Sequence, residues 1–566
     1  MKHIFLLIGL FSCLLCGAQD TLYVKDFGLV PNTFANSTPV LNQVLEACRK
    51  QKPKVLAFEP GRYDFWPEGA TRKELYVTNT SSEQECADKT KIMGVYLNEL
   101  SDLTLEGNDC TWMFHGKMTT VAVDHCTGIT LQHLHIDFER PGGSELTYMS
   151  QEGNSVIMKA HPDTRYVIQN GKINLVGEGW RSNHIHCIGY NPENEHMQYS
   201  YDWSTLSNCP VEEVAPQTLK FQVPEDFKPM MGMTLTLRDI IRDQVGILLH
   251  YSDSIALSQV GVHYMHGLGI VSQYCKDVTM NQVSCAPKEG SGRILASSAD
   301  FMHFSGCRGK VTVKDCYFSG AQDDCINVHG TNLRAVKQTG QNVITVRFMH
   351  PQSYGYEAFW KGDTVALVHA ATMQRFSTAQ VEKAVRLNNY EISLTLNREI
   401  PSDLEIGHDV IENLTCTPEV EITGNYFSHT STRGVLCTTP RKAVIRDNTF
   451  YKTGMSAILV EADAEGWFES GPVCDLTIEN NTFTDCAWNG NPHHAVIAIN
   501  PSNKVIDLKK PVHEHIRILN NSFMEYETGI YAKSVRDLII SGNTYDGGNS
   551  GKILLEGCSR IRQRPQ

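Results

Sequence analysis

The sequence predicts an all-β fold: a right-handed parallel β-helix with two inserted antiparallel, barrel-like β modules and a short N-terminal capping helix. The main observation is a phrase of alternating apolar residues, a turn with Asn and then an aromatic residue, which recurs in five copies. The copies cover residues 420–427, 444–450, 476–483, 516–523 and 538–545. Their Asn residues are 23, 33, 40 and 22 positions apart, which indicates a repeat of 22–23 residues with loops inserted into some copies.

The coil of a parallel β-helix explains each part of this phrase. Its inward-facing residues stack on those of the next coil, about 4.8 Å away. Asn tolerates the left-handed conformation at the bend, and its amide can bond to the Asn residues above and below. An antiparallel sandwich is the alternative, but two-residue hairpin turns are scarce in this sequence. The fixed period therefore favours a β-helix of the pectate-lyase-like type.

Departures from the repeat predict the domain boundaries. Residues 138–240 and 334–412 lack the Asn phrase, and alternating strands around Gly-Asp turns in the second stretch indicate inserted antiparallel modules. An apolar helical run from Val40 to Cys48, followed by a strand, predicts a cap over the open end of the β-helix. The predicted organisation is a signal peptide at 1–18, the cap and first coils at 19–137, the first module at 138–240, further coils at 241–333, the second module at 334–412 and the last coils at 413–566.

Charge and the first residues predict an exported protein. The 566 residues include 50 basic and 63 acidic ones, a formal net charge of −13 with no basic run, which argues against a nucleic-acid partner. Met1-Lys2-His3 and an apolar run from Ile4 to Leu15 precede small residues, as in a secretory signal, and no later stretch predicts a membrane span. We expect a periplasmic or secreted protein, with lipoprotein anchoring at Cys13 as the alternative. The oligomeric state is left open.

The 18 cysteines have two interpretations. In an exported chain they suggest a disulfide scaffold. However, Cys285, Cys307, Cys316 and Cys325 fall at strand or turn positions of the repeat, which predicts small side chains stacked inside the coils. The sequence does not decide whether any cysteines pair.

Three aspartates carry the strongest chemical signal. Asp300 precedes Asp323 by 23 residues and Asp324 by 24, so one coil separates them on the same face. Stacked carboxyl groups repel, and one of them then holds its proton more tightly. A glycosidase needs this combination of one protonated acid and one ionised carboxylate. The spacing alone allows either an inverting or a retaining reaction, and a calcium site is the alternative use of three carboxylates.

These residues lie in a block that resembles a known family. The phrase Ala-Gln-Asp-Asp-Cys-Ile-Asn-Val (321–328) and the Ser-Ala-Asp-Phe (298–301) before it are similar to the catalytic region of β-helical glycosidases. The longer block 297–330 resembles the α-1,3-galactosidases of glycoside hydrolase family 110, and the similarity extends over nearly all of the mature chain. The resemblance implies an inverting exo-enzyme that releases terminal α-1,3-linked galactose from blood-group-B-type glycans, branched and in some members also linear. It also implies Asp300 as the general acid, and Asp323 with Asp324 as the source of the base.

Other residues near the aspartates in sequence are candidate sugar contacts. Sugar sites combine an aromatic platform with carboxylate, Arg or His partners for the hydroxyl groups. The candidates for substrate binding are Glu289, Arg293, His303, His329, Arg433, Glu461 and Trp467. Trp467 leads this group because it follows an acidic loop, although each of the seven could equally be an ordinary loop or core residue.

The alternatives differ in reaction class. A polygalacturonase-like enzyme shares the Asp pattern, but its Gly-His-Gly and Arg-Ile-Lys motifs are missing here, and a uronic acid needs cationic partners. A non-catalytic glycan-binding β-helix would need aromatic residues but no acid–base pair. No nucleotide-binding or serine-hydrolase motif occurs, and histidine pairs such as His133 and His135 lack further ligands nearby. We therefore predict an oligosaccharide or glycoconjugate substrate, no cofactor and no metal.

Overall fold

The computed structural model describes residues 20–182, 185–489, 495–546 and 552–564. The predicted signal peptide lies outside these residues. The described chain forms the predicted parallel β-helix, in which each coil contributes three short strands. The coil that begins at Glu419, for example, contains Glu419–Thr423, Tyr426–Thr430 and Val435–Cys437. Its three strands pair in parallel with those of the next coil, offset by 23 residues.

Two sides of the coils form one continuous ladder of strands. Long strands in the first coils bridge both sides, and later coils split them at the Asn turn. The strands of this ladder are Thr21–Tyr23, Val55–Ala57, Arg62–Phe65, Ser101–Phe114, Thr127–Phe138, Asp253–Val262, Lys276–Asn281, Ser284–Cys285, Arg308–Lys314, Tyr317–Ala321, Glu419–Thr423, Tyr426–Thr430, Ala443–Arg446, Thr449–Thr453, Leu476–Glu479, Thr482–Thr484, His513–Leu519, Ser522–Met524, Val535–Ser541, Thr544–Asp546 and Arg562–Arg564.

The third side of the coils forms the ladder that carries the aspartates. Its parallel strands are Thr90–Asn98, Thr119–Asp124, Val245–His250, Leu268–Gln273, Met302–Ser305, Ile326–Gln338, Val435–Cys437, Ile458–Val460, Ile497–Ile499, Ile530–Lys533 and Ile553–Glu556. Two short strands, Thr71–Glu74 and Glu469–Ser470, pair with it antiparallel.

Helices are few and short in the described residues. A 3-10 helix, Val24–Phe27, precedes the α-helix Thr38–Gln51. Leu41, Val44, Leu45 and Cys48 lie on one face of that helix and are buried against the first coils, because apolar residues three and four positions apart form one stripe. The helix therefore caps the β-helix as predicted. A second α-helix, Asp202–Leu206, lies in the first module.

The first module is a seven-stranded antiparallel sheet beside a three-stranded one. The larger sheet has the strands Gly143–Glu152, Ser155–Ala160, Ile185–Asn191, His196–Tyr199, Val211–Ala215, Thr218–Gln222 and Thr234–Asp239. The smaller has Tyr166–Gln169, Lys172–Gly177 and Trp180–Ser182. Apolar residues of both sheets share one core.

The second module is a closed six-stranded antiparallel barrel. Around the barrel the strands are Ile326–Gln338, Val343–Arg347, Glu391–Leu396, Gln374–Arg386, Thr364–His369 and Val410–Asn413, and the last pairs with the first. The first half of Ile326–Gln338 belongs to a coil, whereas its second half is a barrel strand. The barrel therefore begins directly beyond the aspartate pair.

The Asn turns form the predicted ladder, with one correction. The side-chain nitrogen of Asn448 donates to Oδ1 of Asn481 at 2.9 Å, and Asn481 donates in the same way to Asn521 at 3.0 Å. The left-handed residue is not the ladder Asn but the residue before it, such as Asp447 (φ 56°) or Asn480 (φ 56°). The hydrogen-bonded ladder and the left-handed turn therefore use adjacent residues: the ladder amide is buried, whereas the left-handed residue is exposed.

The aromatic residue of each phrase stacks inside the coils. Successive rings lie 4.5–5.1 Å apart in the column formed by Phe318, Phe427, Phe450, Phe483, Phe523 and Tyr545. The sixteen described cysteines are free, and Cys285, Cys307, Cys316 and Cys325 are buried in the core of the coils, as predicted. In the described residues, no helix is long and apolar enough to cross a membrane.

Candidate active site

The register of the third ladder places the aspartates in one column. Met302 pairs with Ile326, and Ile326 pairs with Val435. Two residues before each of these lie Asp300, Asp324 and Arg433, which therefore stack on three successive coils. The N–H of Phe301 donates to the carbonyl of Asp324 at 2.9 Å, which fixes this stacking. The offset is 24 residues, so Asp300 lies directly below Asp324, with Asp323 at their side.

The three aspartates line a cavity of about 190 Å³ on the outside of this ladder. Six acidic and two basic side chains surround it. The lining residues are Asn79, Arg242, Asp300, Asp323, Asp324, Asn327, Arg433, Leu436, Glu461, Asp463, Trp467 and Glu469. The structure thus brings Arg433, Glu461 and Trp467 of the predicted sugar contacts to the aspartates.

The three carboxyl groups differ in exposure and partners. One oxygen of each lies within 4.8 Å of the others. The Asp324 side chain is almost inaccessible and accepts from Nε of Arg433 at 2.7 Å. Asp323 is 26% exposed and accepts from Arg242 at 3.1 Å, with Arg433 at 3.9 Å. Asp300 is buried and has no arginine within ion-pair distance among the described residues.

Burial and charge together favour a protonated Asp300. Burial raises the pKa of Asp300 to about 8, and the negative charge of Asp323 adds to this rise. Burial also raises the pKa of Asp324, but the guanidinium of Arg433 opposes that rise. Glu461 is held in the same cavity, and its burial raises its pKa to about 7. Asp300 is therefore the candidate acid, and Asp323, paired with Arg242, is the most accessible carboxyl group of the three.

The predicted contacts His303 and His329 lie behind the aspartates and not in the cavity wall. Both are buried, with 0% and 2% of their surface exposed. Nδ1 of His303 lies 2.7 Å from Oδ2 of Asp300, and the two histidines contact each other through their Nε2 atoms at 2.8 Å. They therefore contact the candidate acid and are shielded from a ligand in the cavity.

Comparison with known proteins identifies the family. The chain is 54% identical to the alpha-1,3-galactosidase A of Bacteroides fragilis strain YCH46 over 96% of this chain and 91% of the relative. It is 37% identical to the alpha-1,3-galactosidase A of Bacteroides thetaiotaomicron over 90% of both chains, and 34% identical to the alpha-1,3-galactosidase B of the same organism over 97% of this chain and 92% of the relative. The chain belongs to the α-1,3-galactosidase family. It is therefore a glycoside hydrolase, as the resemblance implied.

The two inserted modules each match a domain model. GLAA-B beta-barrel domain I matches residues 144–235, and GLAA-B beta-barrel domain II matches residues 343–411. Among solved structures, the A-module of the Azotobacter vinelandii mannuronan C-5 epimerase AlgE6 is similar with a TM-score of 0.43 and 10% identity, over 96% of this chain and 99% of that one. A similarity this distant says nothing about the reaction.

Two predicted contacts of this α-1,3-galactosidase-family chain lie elsewhere. Glu289 and Arg293 line a separate cavity of about 860 Å³, next to the two-sided ladder. The guanidinium of Arg293 is buried and donates to both oxygens of Asp137, at 3.1 and 2.6 Å. They are near the aspartates in sequence but not in space, because the loop that carries them follows the strand Ser284–Cys285 and leaves the coil on another side. That they contact a sugar stays a prediction.

The sequence did not predict six of the cavity residues: Asn79, Arg242, Asn327, Leu436, Asp463 and Glu469. Arg242 lies 81 residues before Asp323, between the first module and the next coil, and nothing in its sequence marks it. Asn79 comes from a loop near the N-terminus, and donates to Glu469 at 3.0 Å. The other four had a weak signal, since each lies within three residues of a predicted site residue. Trp467 is 43% exposed, and one face of its ring stacks on His350 at 3.9 Å.

The donor set around the aspartates disfavours a bound calcium ion. The three carboxylates are close enough to share a cation. Yet Arg433 and Arg242 already supply positive charge to Asp324 and Asp323, and Asp300 is bonded to His303. Calcium needs several free oxygen ligands, and a site that holds two guanidinium groups repels it. The arrangement suits acid–base chemistry better.

Proposed function

We propose that this protein is an exo-acting α-galactosidase that hydrolyses terminal α-1,3-linked galactose from blood-group-B-type glycans. The relatives' names supply the linkage, and the observation that carries the reaction is the buried Asp300 stacked against the arginine-paired Asp323 and Asp324. A cavity of about 190 Å³ suits the end of a glycan better than the middle of a polymer. We further propose that the N-terminal leader directs the protein to the periplasm or the medium.

The proposed reaction uses Asp300 as acid and Asp323 as base. Asp300 gives its proton to the glycosidic oxygen while the bond from that oxygen to the anomeric carbon breaks. Asp323 takes a proton from water as the water oxygen bonds to the anomeric carbon. We assign the base to Asp323 because it is the more exposed aspartate of the pair, whereas Asp324 is nearly inaccessible and forms an ion pair with Arg433. Proton exchange with solvent restores both groups.

The charges of the cavity support a neutral sugar over a uronic acid. Six acidic side chains line the cavity, against two arginines. Both arginines already pair with aspartates, so no described lining cation is free to bind a substrate carboxylate. A polygalacturonase-like substrate would be repelled. A hydroxyl-rich galactoside can instead accept from the arginines and donate to the carboxylates.

Inversion of configuration is part of the proposal. The nearest carboxyl oxygens lie within 4.8 Å of one another, which is below the roughly 6.5–9.5 Å of an inverting pair and nearer the roughly 5–5.5 Å of a retaining one, so the distance does not support inversion. The support comes from the arginines, since a carboxylate that is paired with a guanidinium is a weak nucleophile but can still accept a proton from water. The family resemblance in block 297–330 points the same way.

Proton NMR of the first product tests the mechanism directly. With an α-1,3-linked galactoside, we expect β-galactose first, followed by slow mutarotation to the mixture of anomers. Early α-galactose contradicts inversion. Branched B-type trisaccharide and linear disaccharide are compared in parallel, since both kinds of substrate fit the proposal and their relative kcat/KM values define the specificity.

The variant Asp300→Asn separates an enzyme from a glycan-binding protein. If the proposal is correct, the variant keeps its affinity for the trisaccharide and loses turnover. A wild-type protein that binds the trisaccharide without releasing galactose favours the non-catalytic alternative.

A further inference from the structure

A chain of three hydrogen bonds leads from Asp300 into the protein interior. Oδ2 of Asp300 lies 2.7 Å from Nδ1 of His303, and Nε2 of His303 lies 2.8 Å from Nε2 of His329. Nδ1 of His329 lies 2.7 Å from the carbonyl oxygen of Gly330. His329 and Gly330 belong to the strand that continues into the barrel, so the far end of this chain is held by backbone.

The partners at each contact determine where the hydrogens are. A carbonyl oxygen can only accept, so Nδ1 of His329 carries a hydrogen. If His329 is neutral, its Nε2 is an acceptor, and Nε2 of His303 must then donate to it. In the neutral ring of His303, Nδ1 then carries no hydrogen and can only accept. The hydrogen bond to Asp300 therefore requires the carboxylic acid form of Asp300 as the donor. All three hydrogen bonds are thus satisfied when Asp300 is protonated.

Counting hydrogens shows what happens if that proton moves. The proton can shift from Asp300 to His303, or onward to His329, and every contact keeps one hydrogen. If the proton leaves the three residues altogether, one contact is left with two facing lone pairs. The three residues therefore hold one more proton than a carboxylate with two neutral imidazoles, and the chain opposes its loss.

The surroundings favour Asp300 as the place of this proton. Asp323, Asp324 and Glu469 supply negative charge near Asp300 and His303, and Arg242 and Arg433 supply positive charge. Glu469 lies 3.6 Å from Nε2 of His329 and would favour an imidazolium there. Burial opposes an imidazolium at either histidine, because burial lowers the pKa of His303 to about 4 and also lowers the pKa of His329.

We propose that His303 and His329 are positioning residues that keep the acid proton on Asp300, with the Gly330 carbonyl fixing the tautomer of both rings. This inference rests on the proposed function, in which Asp300 is the general acid. Neither histidine touches the substrate. Their effect is to extend the pH range over which the acid is protonated and to favour its reprotonation after each turnover.

The first test is the pH dependence of kcat/KM with an α-1,3-linked galactoside. Activity that needs protonated Asp300 falls as the pH rises through its pKa of about 8. In His329→Leu, Nε2 of His303 loses its acceptor, and His303 is free to turn its N–H toward Asp300 and stabilise the carboxylate. We expect the alkaline limb to move to lower pH by about one unit, as for loss of one hydrogen bond that favours the acid.

Two controls separate this role from a structural one. His329→Gln keeps an acceptor for His303, and the alkaline limb of its kcat/KM profile should stay within about 0.3 pH units of that of wild type. His513 is equally buried, accepts from the N–H of Val473 at 2.9 Å, and does not line the cavity, so His513→Gln should leave the limb unchanged. If His329→Leu lowers kcat/KM equally at every pH, the proposal is wrong.

A second measurement needs neither turnover nor a stable variant at position 329. An infrared difference titration between wild type and Asp300→Asn isolates the carboxylic acid band of Asp300. We expect that band to be present at pH 7 and to disappear around pH 8. Its disappearance below pH 6 would overturn the proposal. If the wild-type protein releases no galactose, the proposed function fails, while this titration still tests the proton on Asp300.

Discussion

The last coils of the β-helix and the coils that carry the aspartates stack opposite kinds of side chains on the same repeat. Between residues 425 and 543, buried amides stack on amides at 2.9–3.0 Å. At the candidate active site, carboxyl groups stack on carboxyl groups. An amide both donates and accepts, so a column of identical amides satisfies itself, whereas a carboxylate only accepts.

Because carboxylates cannot satisfy one another, the aspartates need partners from other residues. Arg433 comes from the next coil and His303 from the same coil, but Arg242 comes from the chain segment that follows the first module. His329 comes from the coil half of the strand Ile326–Gln338, where it pairs with Ser305. The coils therefore supply most of these partners, and the segment after the first module adds a second guanidinium, which together allow acidic groups to stack without being expelled into solvent.

Asp300→Asn should have the largest effect on activity. Without the general acid, we expect kcat/KM for the α-1,3-linked galactoside to fall by roughly 10²–10⁴-fold. Stability should change in the opposite direction. The pKa of Asp300 is raised in the folded protein, so the folded state keeps a proton that the unfolded chain loses above about pH 4, and stability falls between there and about pH 8. The variant removes this loss, and its unfolding midpoint at pH 8 should lie above that of wild type.

Asn481→Asp places a carboxylate in the amide ladder, the opposite change to Asp300→Asn. The side-chain nitrogen of Asn481 donates to Ile445 and Asn521, and both contacts become oxygen–oxygen contacts. We expect a loss of about 3–5 kcal/mol in the free energy of unfolding at pH 7, as for an uncompensated buried charge. Folded protein should keep its kcat, because Asn481 does not line the cavity. A stability equal to that of wild type would mean that the amide ladder contributes nothing.

The sequence was a good guide to the ladders and a poor one to the cavity. The Asn phrase predicted the fold because each coil repeats the same local requirements at a nearly fixed spacing. The spacing of 23 and 24 residues likewise predicted that Asp300 lies one coil from the pair. Arg242 and Asn79 could not be predicted, since they reach the cavity from inserted or N-terminal segments whose path no local pattern records. Glu289 and Arg293 do not join the aspartates in one cavity, because closeness in sequence does not decide the side of the coil from which a loop leaves.

The paired variants Asp323→Asn and Asp324→Asn divide the aspartate pair by role. Asp323→Asn removes the proposed base, so we expect a fall of roughly 10²-fold or more in kcat. Asp324→Asn removes the partner of Arg433, so we expect a smaller fall in kcat together with lower stability, because the partly buried guanidinium loses its nearest charged acceptor. Azide, a small nucleophile, should restore turnover only in Asp323→Asn. If azide instead restores turnover only in Asp324→Asn, then Asp324 and not Asp323 is the base.

The smallest expected effect concerns the left-handed residue beside the ladder. Gly424 and Gly542 occupy this position in two coils with φ of 70° and 69°, whereas Asp447 adopts φ 56° with a side chain that is half exposed. Asp447→Gly relieves the cost of a left-handed L-residue, about 1–2 kcal/mol, but the unfolded chain gains about 0.4–1 kcal/mol of conformational freedom. We expect the free energy of unfolding to rise by about 0.5 kcal/mol, measured by urea unfolding. Gly542→Ala is the matched control with the opposite sign, because its Cβ would overlap Oδ1 of Asn520. If Asp447→Gly instead destabilises the fold, then the exposed residue of each turn, and not only the buried Asn, contributes to the stability of the coils.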